Sequence, residues 1–162
     1  MRPPAARALP LLVMGAAGLA LAGCSALGGA GALSSPTPTG PPEVSVLDLQ
    51  VGDCIAAGGA GRATVTVPVV DCAEPHNGEA YAMLPLTGEA FPGTDEVTDS
   101  AVTGCTSEFT TFVGVEYAAS ALDFAYYYPT ATSWKAGDHE ILCLVVDPGT
   151  ETVTGSLQGA AR

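Results

Sequence analysis

The chain has 162 residues, 48% of them hydrophobic and only 14% charged, with 17 acidic against five basic side chains and a formal net charge of −12. Such a balance excludes nucleic acid as a partner, because phosphate binding needs clustered lysine and arginine. An anionic lipid surface would repel it as well. The length allows one domain of ordinary size with a single core.

The amino terminus reads as a targeting segment. Arg2 and Arg7 precede an apolar run from Ala8 to Ala22. About 15 residues is short of the roughly 20 needed to span a bilayer. A positive start, an apolar middle and small residues at the end are secretory features. The run closes on Leu21-Ala22-Gly23-Cys24, the lipobox pattern of bacterial lipoproteins. The pattern predicts a signal peptide over 1–23 and diacylglyceryl (palmitate-type) acylation of Cys24. Its acyl chains would then be the membrane contact, on the extracytoplasmic face of the cell membrane. After cleavage only Arg62, Lys135 and Arg162 oppose the 17 acids, a net charge of −14. Residues 24–42 then form a tether, rich in Gly, Ala and Ser at first and Pro and Thr later, without charge or hydrophobic period. Such a segment cannot bury enough surface to fold. As a flexible coil it would reach about 25 Å. Thr37 and Thr39 beside prolines are compositional candidates for O-glycosylation.

The domain proper is expected over 43–162. Val44–Leu49 is a short apolar patch, followed by Val51-Gly52-Asp53-Cys54 and a glycine-rich loop. Ala63–Asp71 alternates as a half-buried strand, with Pro68 marking an edge or bulge. Asn77-Gly78 signals a turn before a second strand, Ala80–Leu84, with Tyr81 and Met83 expected on one face. A helix is predicted from about Asp95 to Gly114. Its apolar face is Val97, Ala101, Cys105, Phe109 and Phe112, and Asp95, Glu96 and Asp99 sit in its first turns, where the helix dipole favours negative charge. That position explains the acids without invoking a calcium site. Leu122, Phe124, Tyr126 and Tyr128 alternate as a strand, and a turn-rich stretch follows to Asp138. Glu140–Val146 is apolar on both faces and reads as a central strand. Glu151–Thr154 is a candidate for a last pairing. One main helix and about five strands, mainly antiparallel, make a small single α+β domain.

Cys54, Cys72, Cys105 and Cys143 are an even number in an exported chain, so two disulfides are expected. Of three possible pairings, Cys54–Cys72 and Cys105–Cys143 are favoured. The first links neighbours across the glycine-rich loop, and the second joins the buried helix face to the central strand. The rival is zinc held by Cys72-x3-His76 and His139-x3-Cys143. An extended segment would hold His139 and Cys143 about 13 Å apart, too far to share an ion. No metal and no cofactor are therefore expected. His139-Glu140 resembles the start of a zinc-protease motif but lacks the second histidine. His76 with Glu79 and Glu74 could form an acid–base pair, or His76 is a turn residue bonded to nearby backbone; His76 and Glu79 are also candidates for a contact surface. Trp134, the lone tryptophan, is either a core anchor or a contact residue.

Val51-Gly52-Asp53-Cys54, Val70-Asp71-Cys72-Ala73-Glu74-Pro75-His76-Asn77-Gly78-Glu79, Phe91-Pro92-Gly93, Tyr128-Pro129-Thr130 with Ser133-Trp134 and Gly137-Asp138, and Thr154-Gly155-Ser156 recur in order. This set resembles the septum formation domain family, exported or membrane-anchored proteins of high-GC Gram-positive bacteria, over about 45–160. The resemblance implies a role at the cell envelope, linked to division, and no catalytic residues. The expectation is a non-catalytic envelope lipoprotein that binds an envelope protein or a cell-wall component. The alternative is a small secreted hydrolase or metal-dependent enzyme using His76 and Glu79. A two-lobed solute-binding protein would need more chain.

Overall fold

A computed structural model of the chain describes residues 40–56 and 66–162. The signal region, Cys24, nearly all of the tether and the start of the strand expected at 63 lie outside the described residues. No helix among the described residues is long and apolar enough to cross a membrane.

Among the described residues six strands form the sheet: β1 (Glu43–Ser45), β2 (Cys54–Ile55), β3 (Thr66–Val70), β4 (Gly78–Pro85), β5 (Asp123–Tyr127) and β6 (Glu140–Val146). Their spatial order is β1-β3-β2-β4-β6-β5, and every pair is antiparallel. The α+β expectation holds, with one strand more than the sequence suggested. β6 lies between β4 and β5, as its two apolar faces required. Ile141, Cys143 and Val145 enter one hydrophobic cluster, and Leu142 and Leu144 enter the other. The Glu151–Thr154 pairing reduces to a single bridge between His76 and Val153.

The first cluster lies under helix α1 (Thr94–Val113). Val97, Ala101, Cys105, Phe109 and Phe112 are buried as the period predicts, joined by Val113. Gly114, at φ 89°, ends the helix with its N–H donating to the Thr110 carbonyl at 2.9 Å. A left-handed residue there suits glycine, which has no Cβ to clash. The Cys105–Cys143 disulfide ties α1 to β6. Tyr81 adds to this junction, its hydroxyl donating to the Cys105 carbonyl at 2.7 Å. Burial holds the Tyr81 phenol well above its usual pKa, with the nearby Glu108 charge adding to the effect.

Tyr81 and Met83 do not share a face. The β4–β6 register shifts between Ala80 and Ala82. A bulge puts one extra residue into a strand and so resets the alternation beyond it. Tyr81 therefore faces α1, whereas Met83 packs on the opposite cluster. That second cluster, of Leu49, Ile55, Val67, Ala80, Tyr127, Leu142 and Leu144, is covered in part by Val44 and Val46 from the amino-terminal segment.

The turn-rich stretch after Pro129 contains a one-turn helix, α2 (Ala131–Trp134). Thr130 and Ser133 form a reciprocal capping box there, each side chain accepting from the other's backbone N–H. This satisfies orphan donors that so short a helix could not pair itself.

Candidate functional site

Two places in the domain concentrate chemistry. The first is a buried cluster where β2, the start of β4 and the segment after Val153 converge. Cys54 sits opposite Glu79 across the β2–β4 pair. The Cys54–Cys72 disulfide ties β2 to the turn that follows its neighbour β3. With Cys105–Cys143, both favoured pairings are present. His76 and Glu79 are 0% and 2% exposed. The His76 backbone exchanges two hydrogen bonds with Val153, at 2.9 and 2.8 Å. Its Nδ1 lies 2.9 Å from the Glu74 carbonyl. A carbonyl can only accept, so Nδ1 carries the proton and Nε2 keeps the lone pair. Nε2 is buried and has no hydrogen-bond partner among the described residues.

Glu79 is bound at both carboxylate oxygens. Oε1 accepts from the Ser156 hydroxyl at 2.7 Å, and Oε2 accepts from the Leu157 N–H at 2.6 Å. Gly155, at φ 85°, turns the chain into this position, and its N–H donates to the Cys72 carbonyl at 2.6 Å. The carboxylate thus fastens the carboxy-terminal segment to the sheet. Ser156 and Leu157 were not foreseen as its partners. A glycine-serine pair 77 residues downstream carries no local signal for such a contact. Donor atoms of Cys54, His76 and Glu79 lie within 4.8 Å of one another, but the Cys54 sulfur is bonded to Cys72 and is not a thiolate. The four-ligand zinc set considered from sequence is not assembled, because Cys143 is bonded to Cys105 and the His139 Nε2 lies 3.1 Å from the Trp134 carbonyl.

His76, Glu79 and Trp134 are all buried, so none of the three presents an exposed contact surface. The first two are enclosed by the carboxy-terminal segment. Trp134 is 4% exposed, stacked on His139 with centroids 4.0 Å apart and edge-on to Phe91 at 5.8 Å. Its indole N–H donates to the Glu89 carbonyl at 3.3 Å. It is an anchor that holds α2 against the 89–91 loop.

The second place is the surface that Trp134 supports. An open groove of about 610 Å³ runs between the amino-terminal segment at 45–49 and the chain from α2 to the start of β6. Val46, Met83, Leu86 and Tyr128 contribute half-exposed apolar surface to it, over a floor of the buried Leu49, Tyr127 and Leu142. Asp138 and Glu140 line it with carboxylates, and among the described residues no lysine or arginine does. Leu47, 57% exposed, stands on its amino-terminal wall. These groove residues come from four separate stretches, so no short motif announces them.

The fold and its two sites define a class: a small α+β domain with two disulfides, its sheet covered by a helix on one face and bearing an apolar, acid-lined groove on the other. The family model described as septum formation matches residues 43–143, and the chain belongs to that family. Two relatives, both named "Putative lipoprotein LppN", come from Mycobacterium tuberculosis (strain ATCC 25618 / H37Rv) and Mycobacterium bovis (strain ATCC BAA-935 / AF2122/97). Each is 28% identical over 160 residues, covering 84% of this chain and 89% of its own. No solved structure matches the chain significantly.

Proposed function

We propose that this chain is a lipid-anchored binding module of the cell envelope, not an enzyme, and that it acts at the division septum on the extracytoplasmic side. The observation that carries the reading is Leu21-Ala22-Gly23-Cys24 standing ahead of a domain with both disulfides formed. Disulfides persist in exported proteins, and the lipobox supplies the anchor. The lipoprotein name of the mycobacterial relatives supports the anchor, and family membership supports the septal role.

His76 and Glu79 are poorly placed for hydrolysis. A general base must reach the proton it abstracts. Both are enclosed, and the Glu79 oxygens are engaged in fastening the chain. The groove suits binding better. Its apolar residues offer area to bury and its carboxylates select charge. The occupant that fits is an extended segment of an envelope protein with apolar side chains flanked by lysine or arginine.

Cys24→Ala is expected to release the protein from membranes. A photo-crosslinker at Leu47, used in intact cells, is expected to join an envelope protein through a segment of that composition. The same probe at Val102, an exposed α1 position, serves as the control. An adduct to wall glycan, or equal capture from both positions, refutes the groove reading. Depletion is expected to misplace or delay septa.

A further inference from the structure

We propose that reduction of Cys54–Cys72 converts the buried cluster into a site for one zinc-class divalent ion, held by Cys54, Cys72, His76 and Glu79. The proposal rests on this cluster alone, not on the groove or the anchor.

Three observations carry it. The His76 Nε2 is buried, unpartnered among the described residues and bears the ring's lone pair. Metal-bound histidines commonly donate the other ring N–H to a carbonyl or carboxylate, which fixes the tautomer. The Nδ1–Glu74 carbonyl contact already does so. Next, donor atoms of Cys54, His76 and Glu79 are mutually within 4.8 Å. Tetrahedral zinc with bonds of about 2.0–2.3 Å places ligands roughly 3.5 Å apart, so a contraction of about 1 Å completes the site. Each Glu79 oxygen accepts one hydrogen bond and retains a second lone pair, so the carboxylate can ligate without releasing Ser156 or Leu157. Cys72 lies outside that set of three, but its sulfur is bonded to that of Cys54, so opening the bond leaves a second thiol beside the site that must swing in as the fourth donor.

The disulfide is what closes the site. A disulfide sulfur carries no anionic charge and ligates weakly, leaving one imidazole and one carboxylate. A dithiol reductant changes this by thiol–disulfide exchange. It gives two electrons and two protons to the Cys54–Cys72 bond and is itself oxidised to a disulfide. The ion then displaces the two thiol protons to solvent, and the donor set becomes two thiolates, one imidazole and one carboxylate, which suits zinc. Exposure decides which bond opens. Cys72 is partly exposed, whereas Cys105 and Cys143 are both 0% exposed. An incoming thiolate therefore reaches Cys72 first.

The test uses the purified full chain under mild phosphine reduction, with alkylation and mass mapping to count thiols. Two are expected, at 54 and 72. Cobalt(II) is then titrated. The expected result is one ion per chain, with thiolate-to-cobalt absorption and tetrahedral visible bands, absent from the oxidised protein and displaced by zinc. His76→Ala is expected to weaken cobalt binding by at least the ~10–100-fold that loss of a mere outer-shell partner costs. Because that variant alters a buried position, the imidazole nitrogen shifts of wild-type His76 on zinc addition provide a second reading that needs no substitution. The proposal is overturned by a reduced, folded chain that gives no thiolate band, by cobalt binding that leaves His76 unshifted, by prior opening of Cys105–Cys143, or by a chain that unfolds on reduction and is not restored by zinc.

Discussion

Replacing Glu79 by alanine and by glutamine separates a structural fastener from an acid–base group. In the native domain its two oxygens accept from Ser156 and Leu157. Hydrogen bonds to a charged group contribute about 1.5–3 kcal/mol each, and stranding a buried donor adds its desolvation cost. Glu79→Ala strands the Leu157 N–H and leaves space around Ser156, so a loss of about 3–5 kcal/mol is expected. Glutamine keeps one acceptor oxygen for the Leu157 N–H, and its amide can donate to the Ser156 hydroxyl. Glu79→Gln should therefore cost only about 1 kcal/mol. Urea unfolding followed by Trp134 fluorescence reads the difference. With an m-value of about 1.5 kcal/mol per molar urea, the alanine midpoint falls by roughly 2–3 M and the glutamine midpoint by under ~1 M. Limited proteolysis reports the local consequence, with cleavage after Thr154 enhanced in the alanine variant alone. If glutamine proves as costly as alanine, or alanine costs less than about 1 kcal/mol with the segment still protected, the fastener account fails.

Other perturbations test the frame. By loop-closure entropy, replacing Cys105 and Cys143 by alanine should cost about 4 kcal/mol, and replacing Cys54 and Cys72 about 3 kcal/mol, so the urea midpoints should fall in that order. A Cβ at Gly104 would run into the Leu84 side chain. Gly104→Ala should therefore destabilise by about 1 kcal/mol in the wild type, yet stabilise by ~0.5–1 kcal/mol in a Leu84→Ala background, where helix propensity alone remains. Tyr81 has a raised folded pKa, chiefly from burial. Its contribution is complete below the unfolded value near 10 and declines as pH rises above it, because only the unfolded chain then loses the proton. From pH 10 to 12, Tyr81→Phe should lose stability less steeply than wild type, by up to about 1.4 kcal/mol per pH unit.

What could be read in advance was local periodicity and counting. The α1 face and the two apolar faces of β6 follow from patterns within short windows; the parity of the cysteines gives two disulfides, and their pairing follows from the expected packing of the helix face on the central strand. The bulge between Ala80 and Ala82 could not, since it exists only through the register that β6 imposes. It alone sends Met83 into the groove face and Tyr81 into the helix face. The two-residue β2 is held by β3 and β4 rather than by any propensity of Cys54-Ile55. One local signal was legible and missed: Thr130 and Ser133 are spaced as a capping box and mark α2. The motifs that carry the family resemblance gain a physical sense here. Gly52–Cys54, Cys72–Glu79 and Gly155–Ser156 meet around the buried cluster, while Thr130–Asp138 builds the wall of the groove.

The two sites lie toward opposite ends of one strand. Glu79 stands near the start of β4, and Pro85, which lines the groove, ends it. Six residues at about 3.3 Å each put them roughly 20 Å apart. The path between them is β4 paired along its length with β6, which is itself tied to α1 by a disulfide. Coupling over that distance needs an element with two discrete arrangements. A paired strand whose register is pinned by a bulge and packed on both faces offers none. Leu47→Ala and Asp138→Asn should therefore weaken capture at the groove yet leave cobalt affinity of the reduced cluster within about twofold, the spread expected of independent sites. A tenfold change would mean that the sheet transmits what its pairing should hold fixed.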